Sequence, residues 1–335
     1  MAIALTTQQS QQTTQQPNWE FRHEVLNGLA LPLKQLSPKY FYDRYGSQLF
    51  DQICALKEYY PYRTELTLLP QVASDLDRFF RAQIGADLSI VEFGAGSLHK
   101  ITPLLERIDS VKNFTAIDIS KEHLLSACRT LQQRFCDLDI TAQAQDFTCP
   151  IRLEKTHLTR MGFFPGSTIG NLHQAQALEF LHSTGQTLGS GAYLLIGVDT
   201  KKPERILHDA YNDSCGVTAK FNKNILTRIN RELNGNFNLA HFAHHAFYNR
   251  QQGRIEMHLR SLRQQRVQIA EHEFYFTTGE TIHTENSYKY HPCEFAKLAL
   301  QAQWRTRHLW MAPDDLFAIS LLQYQPSNST KRNDH

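Results

Sequence analysis

From Asp87 to Asp199 the chain repeats one unit, an apolar run followed by a stretch with helical spacing. Leu88-Ser89-Ile90-Val91-Glu92-Phe93 is a buried-strand pattern that runs into Gly94-Ala95-Gly96-Ser97 and then a helix through Leu104 and Leu105. Phe114-Thr115-Ala116-Ile117-Asp118 predicts a second strand, with a helix over 121–135 behind it. A weaker strand near Ile140 leads to Asp146-Phe147, and residues 167–171 read as a short strand before a helix over 174–184. Tyr193-Leu194-Leu195-Ile196-Gly197-Val198-Asp199 closes the series. Strand and helix in strict alternation predict an α/β fold with a parallel, doubly wound sheet.

Past Lys201 the alternation stops. Residues 202–213 and 220–232 have helical spacing, whereas 246–249, 254–260 and 266–270 read as strands. An amphipathic helix follows Pro292, and two short strands over 304–310 and 317–322 predict an antiparallel hairpin that completes the sheet. A second domain is therefore inserted between Lys201 and about Tyr290. Ahead of the sheet, the stretch 37–65 carries eight tyrosine and phenylalanine rings, and Leu49, Phe50 and Ile53 share a helix face starting after Gly46 and Ser47. Residues 1–17 and 326–335 are polar and too poor in apolar side chains to offset chain entropy, which predicts disordered tails.

Composition narrows the function. The 335 residues carry 35 Lys and Arg against 33 Asp and Glu, a net charge of +2. No basic stripe of the kind that grips nucleic acid stands out. No apolar run is long enough to span a bilayer, and the N-terminus lacks the basic and apolar regions of a secretory signal, which places the protein in the cytoplasm. Cys54, Cys128, Cys136, Cys149, Cys215 and Cys293 form no CxxC pair and read as reduced thiols. His241, His244, His245 and His258 lie near one another without a ligand-like spacing, so no metal is expected.

Chemistry enters at the strand ends. Gly94 and Gly96 follow a strand and precede a helix, where the backbone must turn sharply and approach a ligand. A dinucleotide site wants a third glycine beneath the pyrophosphate; its absence, together with Glu92 just before the loop, favours S-adenosylmethionine. Asp118, ending the second strand, suits ribose hydroxyls, Asp146 the adenine amino group, and Phe147 the adenine ring. Lys100 is placed to pair with the methionyl carboxylate. Three acids at successive strand ends of one sheet are hard to explain otherwise, because open α/β sheets bind ligands there.

At this point the chain resembles the ergothioneine-pathway histidine Nα-methyltransferases, over about residues 41–322. The resemblance rests on Phe41-Tyr42-Asp43 with Gly46-Ser47 and Leu49-Phe50, on Glu58-Tyr59-Tyr60-Pro61 with Arg63 and Glu65, and on Gly166-Ser167-Thr168-Ile169-Gly170-Asn171. Ala210-Tyr211, Gly216-Val217-Thr218-Ala219, Asn230-Arg231-Glu232-Leu233, Arg254-Ile255-Glu256-Met257-His258 and Thr284-Glu285 with Ser287 extend it. Lys57 replaces a common proline, and Tyr62 stands where threonine is usual.

The resemblance implies a class I, Rossmann-like methyltransferase sheet with an inserted α+β substrate-binding domain. Residues 18–64 with 201–290 would bind substrate, and residues 65–200 with 291–325 would bind S-adenosylmethionine. The implied reaction is trimethylation of the α-amine of free L-histidine to hercynine, by a monomer that uses neither nucleic acid nor membrane. Carried over residue by residue, Asn171 and Tyr211 would hold the substrate carboxylate and Tyr42 would sit at the amine as the catalytic group. Tyr59, Glu285 and Ser287 would surround the imidazole, with Phe50, Gly166, Thr168 and Met257 lining the cavity. Another free amino acid such as tryptophan is the nearest alternative substrate; a nucleic-acid methyltransferase and a binding-only protein stand further off.

Overall fold

A computed structural model describes residues 4–5, 16–83, 85 and 87–326. Strand β1 (Ala4–Leu5) lies at the edge of the main sheet and is followed by helix α1 (Gln16–Ala30). The predicted tails lie mostly outside the described residues; exceptions to the predicted disorder are Ala4 and Leu5, which pair in parallel with a sheet strand, and Gln16 and Pro17, which begin α1. Helix α2 (Arg44–Ala55) starts ahead of Gly46 and Ser47, because Asp43 caps it by accepting from the Gly46 N–H at 2.8 Å. Helix α3 (Tyr60–Gln83) runs through the boundary expected at residue 64, so that boundary falls inside a continuous element.

The alternating region then supplies β2 (Leu88–Phe93), α4 (Thr102–Leu105), β3 (Val111–Asp118), α5 (Lys121–Arg134), β4 (Asp139–Ala144), β5 (Thr159–Phe164), α6 (Gln174–Leu188) and β6 (Tyr193–Asp199). Residues 167–171 are not the expected strand. Gly166 and Ser167 both adopt left-handed conformations, at φ 80° and 56°, and Thr168–Asn171 forms a single 3-10 turn. The strand lies seven residues earlier, in β5.

Helices α7 (Glu204–Tyr211) and α8 (Val217–Glu232) precede β7 (Phe242–Asn249), β8 (Arg254–Ser261), β9 (Gln265–Ile269), β10 (His272–Phe276) and β11 (Thr281–Tyr288). Helix α9 (Pro292–Gln301) and the hairpin β12 (Trp304–Met311) and β13 (Phe317–Tyr324) end the chain. The main sheet has eight strands in the order β1-β4-β3-β2-β5-β6-β13-β12, parallel as far as β6 and antiparallel beyond it. The chain moves outward from β2 through β3 and β4, then returns to β5 and β6 on the other side. Such a reversal opens a crevice at the C-terminal ends of the central strands. A separate antiparallel sheet has the order β11-β8-β7.

Apolar packing is divided in the same way. One buried cluster covers one face of the main sheet with α3, α4 and α5, and a second covers the other face with α6 and α9. A third joins Phe21, Phe41 and Ile53 near the N-terminus to Leu207, Phe221, Met257 and Ile282. Among the described residues no helix is long and apolar enough to cross a membrane.

Candidate active site

The β2 turn builds the first half of the site. Gly94 and Gly96 have φ of 69° and 53°, where a side chain would be strained. The Gly94 N–H donates to the Ile117 carbonyl at 2.9 Å, and the Gly96 N–H to Asp118 Oδ2 at 2.9 Å, so the loop is tied to the end of β3. Asp118 also accepts from the Ser120 N–H at 2.8 Å. Burial pushes its carboxyl above the ordinary range, against those backbone donors.

Glu92 is 1% exposed, and its Oε2 has no hydrogen-bond partner among the described residues. Burial lifts its carboxyl well above the usual range, with Asp118 and Glu65 adding to the effect and Lys100 opposing it. A carboxyl in that state gains a partner when a cation arrives. Asp146 accepts from the Thr148 backbone and hydroxyl at 2.8 and 2.6 Å and lies 3.6 Å from Lys39. Phe147 packs edge-on against Phe164 and Phe180, with centroids 5.3 and 5.7 Å away. Glu92, Gly94, Gly96, Lys100, Asp118, Asp146 and Phe147 all line one cavity of about 840 Å³. An orphaned buried carboxyl oxygen, a carboxylate at the β3 end and an aromatic wall fit the methionyl, ribose and adenine parts of S-adenosylmethionine.

A smaller cavity adjoins it and shares Tyr42, Phe50, Gly166, Thr168 and Asn171 with it. Tyr59, Pro61, Ser167, Tyr211, Glu285 and Ser287 complete its lining together with Asp199 and Lys289. Met257 is the one expected lining residue that it lacks: it is 1% exposed in the apolar cluster, opposite Glu285 in the β8–β11 register. Strand alternation points Glu285 and Ser287 into the cavity while Asn286 turns away, just after a register shift between His283 and Glu285. Glu285 is raised to about 7 by burial, with Lys289 pulling the other way. Burial also holds the Tyr42 and Tyr59 phenols well above 10, so both stay protonated. Tyr42 meets Phe50 and Phe221 edge-on at 5.7 and 5.6 Å, and Tyr59 meets Tyr211 at 6.2 Å.

Several buried charges hold this lining in place. Glu65 is fully buried; it pairs with Lys100 at 2.7 Å and accepts from the Gly166 N–H at 2.8 Å. Asp199 accepts from the Tyr60 hydroxyl at 2.8 Å and pairs with Lys202 and Lys289. The Ser167 hydroxyl accepts from the Asp199 N–H at 2.9 Å, which ties the left-handed turn to the end of β6. Sequence reading placed none of Glu65, Asp199, Lys202 or Lys289 in the site. The available signal was a charged residue in or beside an apolar run, as at Asp199 after Val198.

Among the described residues, Glu256, His258 and His283 could together hold a metal ion. Their present arrangement does not suit one. The His258 and His283 rings stack at 4.7 Å and 12°, and parallel rings cannot aim in-plane lone pairs at one ion. Glu256 is bound by Arg254 and Asn249, each at 2.8 Å, and by His258 at 3.0 Å.

Residues 21–324 match the sequence profile of a family described as "Histidine-specific methyltransferase, SAM-dependent". The chain is 38% identical over 305 residues to a histidine N-alpha-methyltransferase of Mycolicibacterium smegmatis, covering 90% of this chain and 94% of that one. It is 36% identical over 313 residues, with the same coverage of both chains, to a histidine N-alpha-methyltransferase of Mycobacterium tuberculosis. A third relative, ergothioneine biosynthesis protein 1 of Neurospora crassa, is 32% identical over 211 residues, which is 59% of this chain and 23% of that one.

Proposed function

The chain belongs to the S-adenosylmethionine-dependent histidine-specific methyltransferases, and on that premise we propose that it trimethylates the α-amine of free L-histidine to hercynine, the step toward ergothioneine. The observation that carries this reading is the join between the two cavities. The small one ends on Glu285 and Ser287, hydrogen-bonding groups that suit the two nitrogens of an imidazole, and opens through five shared residues onto the large one.

S-adenosylmethionine, when bound, supplies an electrophilic methyl group on a sulfonium. Glu92, Gly94, Gly96, Lys100, Asp118, Asp146 and Phe147 would hold it. The protein's own task is to aim a neutral amine at that methyl group and keep water away. A free α-amine has a pKa near 8, so neutral amine is already available near physiological pH and a strong base is not required. Tyr42, which stays protonated, orients the amine by accepting its N–H on the phenolic oxygen and does not act as a phenolate; the protons shed after the first two transfers go to bulk water. Asn171 takes the carboxylate through its amide; Tyr211, expected to share it, has its hydroxyl proton on Ser287 and instead sets that serine. The faces of Tyr42, Phe50 and Tyr59 accommodate the growing quaternary ammonium.

A cavity that hydrogen-bonds both ring nitrogens rejects apolar amino acids, since its buried groups would be left unpaired. Met257 supports that cavity from behind, through its pairing with Glu285. The separate apolar clusters support a substrate-binding unit distinct from a donor-binding unit, close to the expected 18–64 with 201–290 and 65–200 with 291–325, although α3 runs across residue 64 and Tyr288 and Tyr290 pack with the main sheet. The reading extends to a cytoplasmic monomer acting on a small molecule, and the near balance of charge supports the absence of a nucleic-acid partner. Transfer from a sulfonium needs no Lewis acid, and the reading assigns no metal.

The test is to incubate the protein with S-adenosylmethionine and a pool of the twenty amino acids and follow products by mass spectrometry. Selective trimethylation of histidine is the expected outcome. Methylation of a different amino acid would overturn the reading of the small cavity.

A further inference from the structure

Beside Glu285 and Ser287 the small cavity is lined by a buried ammonium to which the roles above give no work. Lys289 lies one residue past β11 and is 2% exposed. Its Nζ donates to Asp199 Oδ2 at 2.7 Å, to Ser287 Oγ at 2.7 Å and to the Tyr211 hydroxyl at 3.2 Å. An ammonium has three hydrogens, and all three are taken. Asp199 cannot turn away, because the Tyr60 hydroxyl and Lys202 hold it from the other side.

The Ser287 and Tyr211 hydroxyls are themselves hydrogen-bonded at 2.7 Å. One of their two protons therefore lies between them, and each oxygen also accepts from Lys289. A single hydroxyl proton is left to face the cavity. With Tyr211 as donor to Ser287, both Ser287 lone pairs are filled, and the free proton is the serine's.

We propose that Lys289 is a positioning residue that fixes Ser287 and Tyr211 as a single-donor unit, so that the site takes the substrate ring as neutral imidazole with its bare nitrogen on Ser287 and its N–H on Glu285. The proposal rests on the histidine reading above. An imidazolium would press a second N–H against the Ser287 proton. Glu285 must accept, and Lys289 is the cation that favours its charged form against burial. The other groups facing Glu285 are the Tyr42, Tyr59 and Tyr211 phenols and, at its backbone carbonyl, His283 Nε2 at 3.1 Å. Those facing Lys289 are Asp199, Lys202 through Asp199, Ser287 and Tyr211.

The experiment compares Lys289→Met, Glu285→Gln and the double variant with the unaltered protein. Histidine kcat and KM are measured from about pH 6 to 9.5 at saturating S-adenosylmethionine. Each value is taken as a ratio to the matching background, so the substrate's own titrations cancel. Lys289→Met is expected to keep the S-adenosylmethionine Kd within about threefold and to raise histidine KM about tenfold or more near pH 7. The deficit shrinks as pH rises, because Glu285 then ionises later. In the Glu285→Gln background the Lys289→Met ratio becomes independent of pH. A ratio that is flat in the unaltered background, with kcat and KM both impaired, would mark a purely structural lysine and overturn the proposal. So would a pH-dependent ratio that persists without the Glu285 carboxyl. If Lys289→Met fails to bind S-adenosylmethionine, Lys289→Arg decides: it retains the charge, so histidine KM must rise while the pH profile stays put, and a shifted profile overturns the proposal. Unaltered protein that makes no trimethylated histidine would remove the functional reading as well; turnover with a flat ratio removes only the role of Lys289.

Discussion

A methyl group added at Gly197 tests the buried frame under both cavities. Gly197 lies in β6 opposite Ile319 of β13, and a Cβ there would sit 2.0 Å from Glu65 Oε1 and 3.0 Å from the Phe317 ring. A normal contact requires the carboxylate to retreat by more than about 1 Å. It has nowhere to go, being fully buried and held by Lys100 at 2.7 Å and by the Gly166 N–H at 2.8 Å. Overpacking a core costs about 1–3 kcal/mol, and weakening a hydrogen bond to a charged group adds about 1.5–3 kcal/mol. Gly197→Ala should therefore lose about 3 kcal/mol or more, which at roughly 2–4 °C per kcal/mol lowers the Tm by about 6–12 °C. Lys100, no longer aimed by Glu65, should also bind the methionyl carboxylate less well, raising the S-adenosylmethionine Kd about tenfold. Differential scanning fluorimetry and titration calorimetry read the two effects separately. A Tm within about 1 °C of the parent, or a Kd unchanged or lower, would refute the view that Glu65 holds the cofactor loop and the 166–171 turn together.

Glu285→Ala removes a charged acceptor from the small cavity without touching the large one, so histidine KM should rise about 10–150-fold with S-adenosylmethionine affinity preserved; unchanged histidine affinity would sink the assignment. Glu285→Gln makes a prediction about stability. The folded-state carboxyl sits at about 7 against an ordinary 4.5, so the unfolded chain binds fewer protons between those values and stability falls as pH rises through them. The contribution is fully present below 4.5 and lost above 7. Glutamine has no such loss, so in ligand-free protein the Tm advantage of Glu285→Gln should grow from pH 5 to pH 8, by on the order of 3 kcal/mol in stability; a pH-independent difference would count against a buried, strained carboxyl.

The elements that were legible in the sequence are those whose burial is apolar. β2, β3 and β6 read directly because their side chains pack against helices on both faces of the sheet. The strand that carries Glu285 and Ser287 was missed for the opposite reason. β11 reads Thr-Ile-His-Thr-Glu-Asn-Ser-Tyr, and its buried polar residues face a cavity on one side and a hydrogen-bonded layer of Asn286, His173 and Tyr288 on the other. Hydrophobic alternation cannot identify a strand whose partners are polar. Ser167-Thr168-Ile169 looked extended because of its β-branched residues, yet Gly166 allows the chain to enter a left-handed turn that exposes Gly170 to the Tyr288 backbone, where a Cβ would lie 2.8 Å from the carbonyl oxygen. Of the candidate site, most of the residues proposed to touch ligands were recognisable from motifs. The charged groups that hold them, Glu65 behind the cavities and Asp199 and Lys289 in the wall of the small one, became visible only once strand ends distant in sequence were brought together.

That second layer is charged for a structural reason. The site lies where the sheet's own apolar clusters give way to the cluster built from the N-terminal helices and the β7–β8–β11 sheet. Strand ends and turns meet there, and their exposed N–H groups must find partners. Carboxylates meet that need: Glu65 accepts from Gly166, and Asp118 from Gly96 and Ser120. A buried carboxylate in turn requires a cation, which brings in Lys100 for Glu65 and Lys202 and Lys289 for Asp199. Such pairs add little net stability, because desolvation offsets most of their attraction. Their value lies in geometry. Each ammonium faces a cavity as well as its carboxylate: Lys100 the large one and Lys289 the small one. A network first required to satisfy backbone at the join thus places one positive charge at each cavity. Replacing Lys100 with an apolar residue should therefore strand the Glu65 carboxylate and cost about 3–5 kcal/mol of stability along with cofactor affinity, whereas Asp199 keeps Lys202 when Lys289 is replaced, so that change should cost substrate affinity well before it costs the fold.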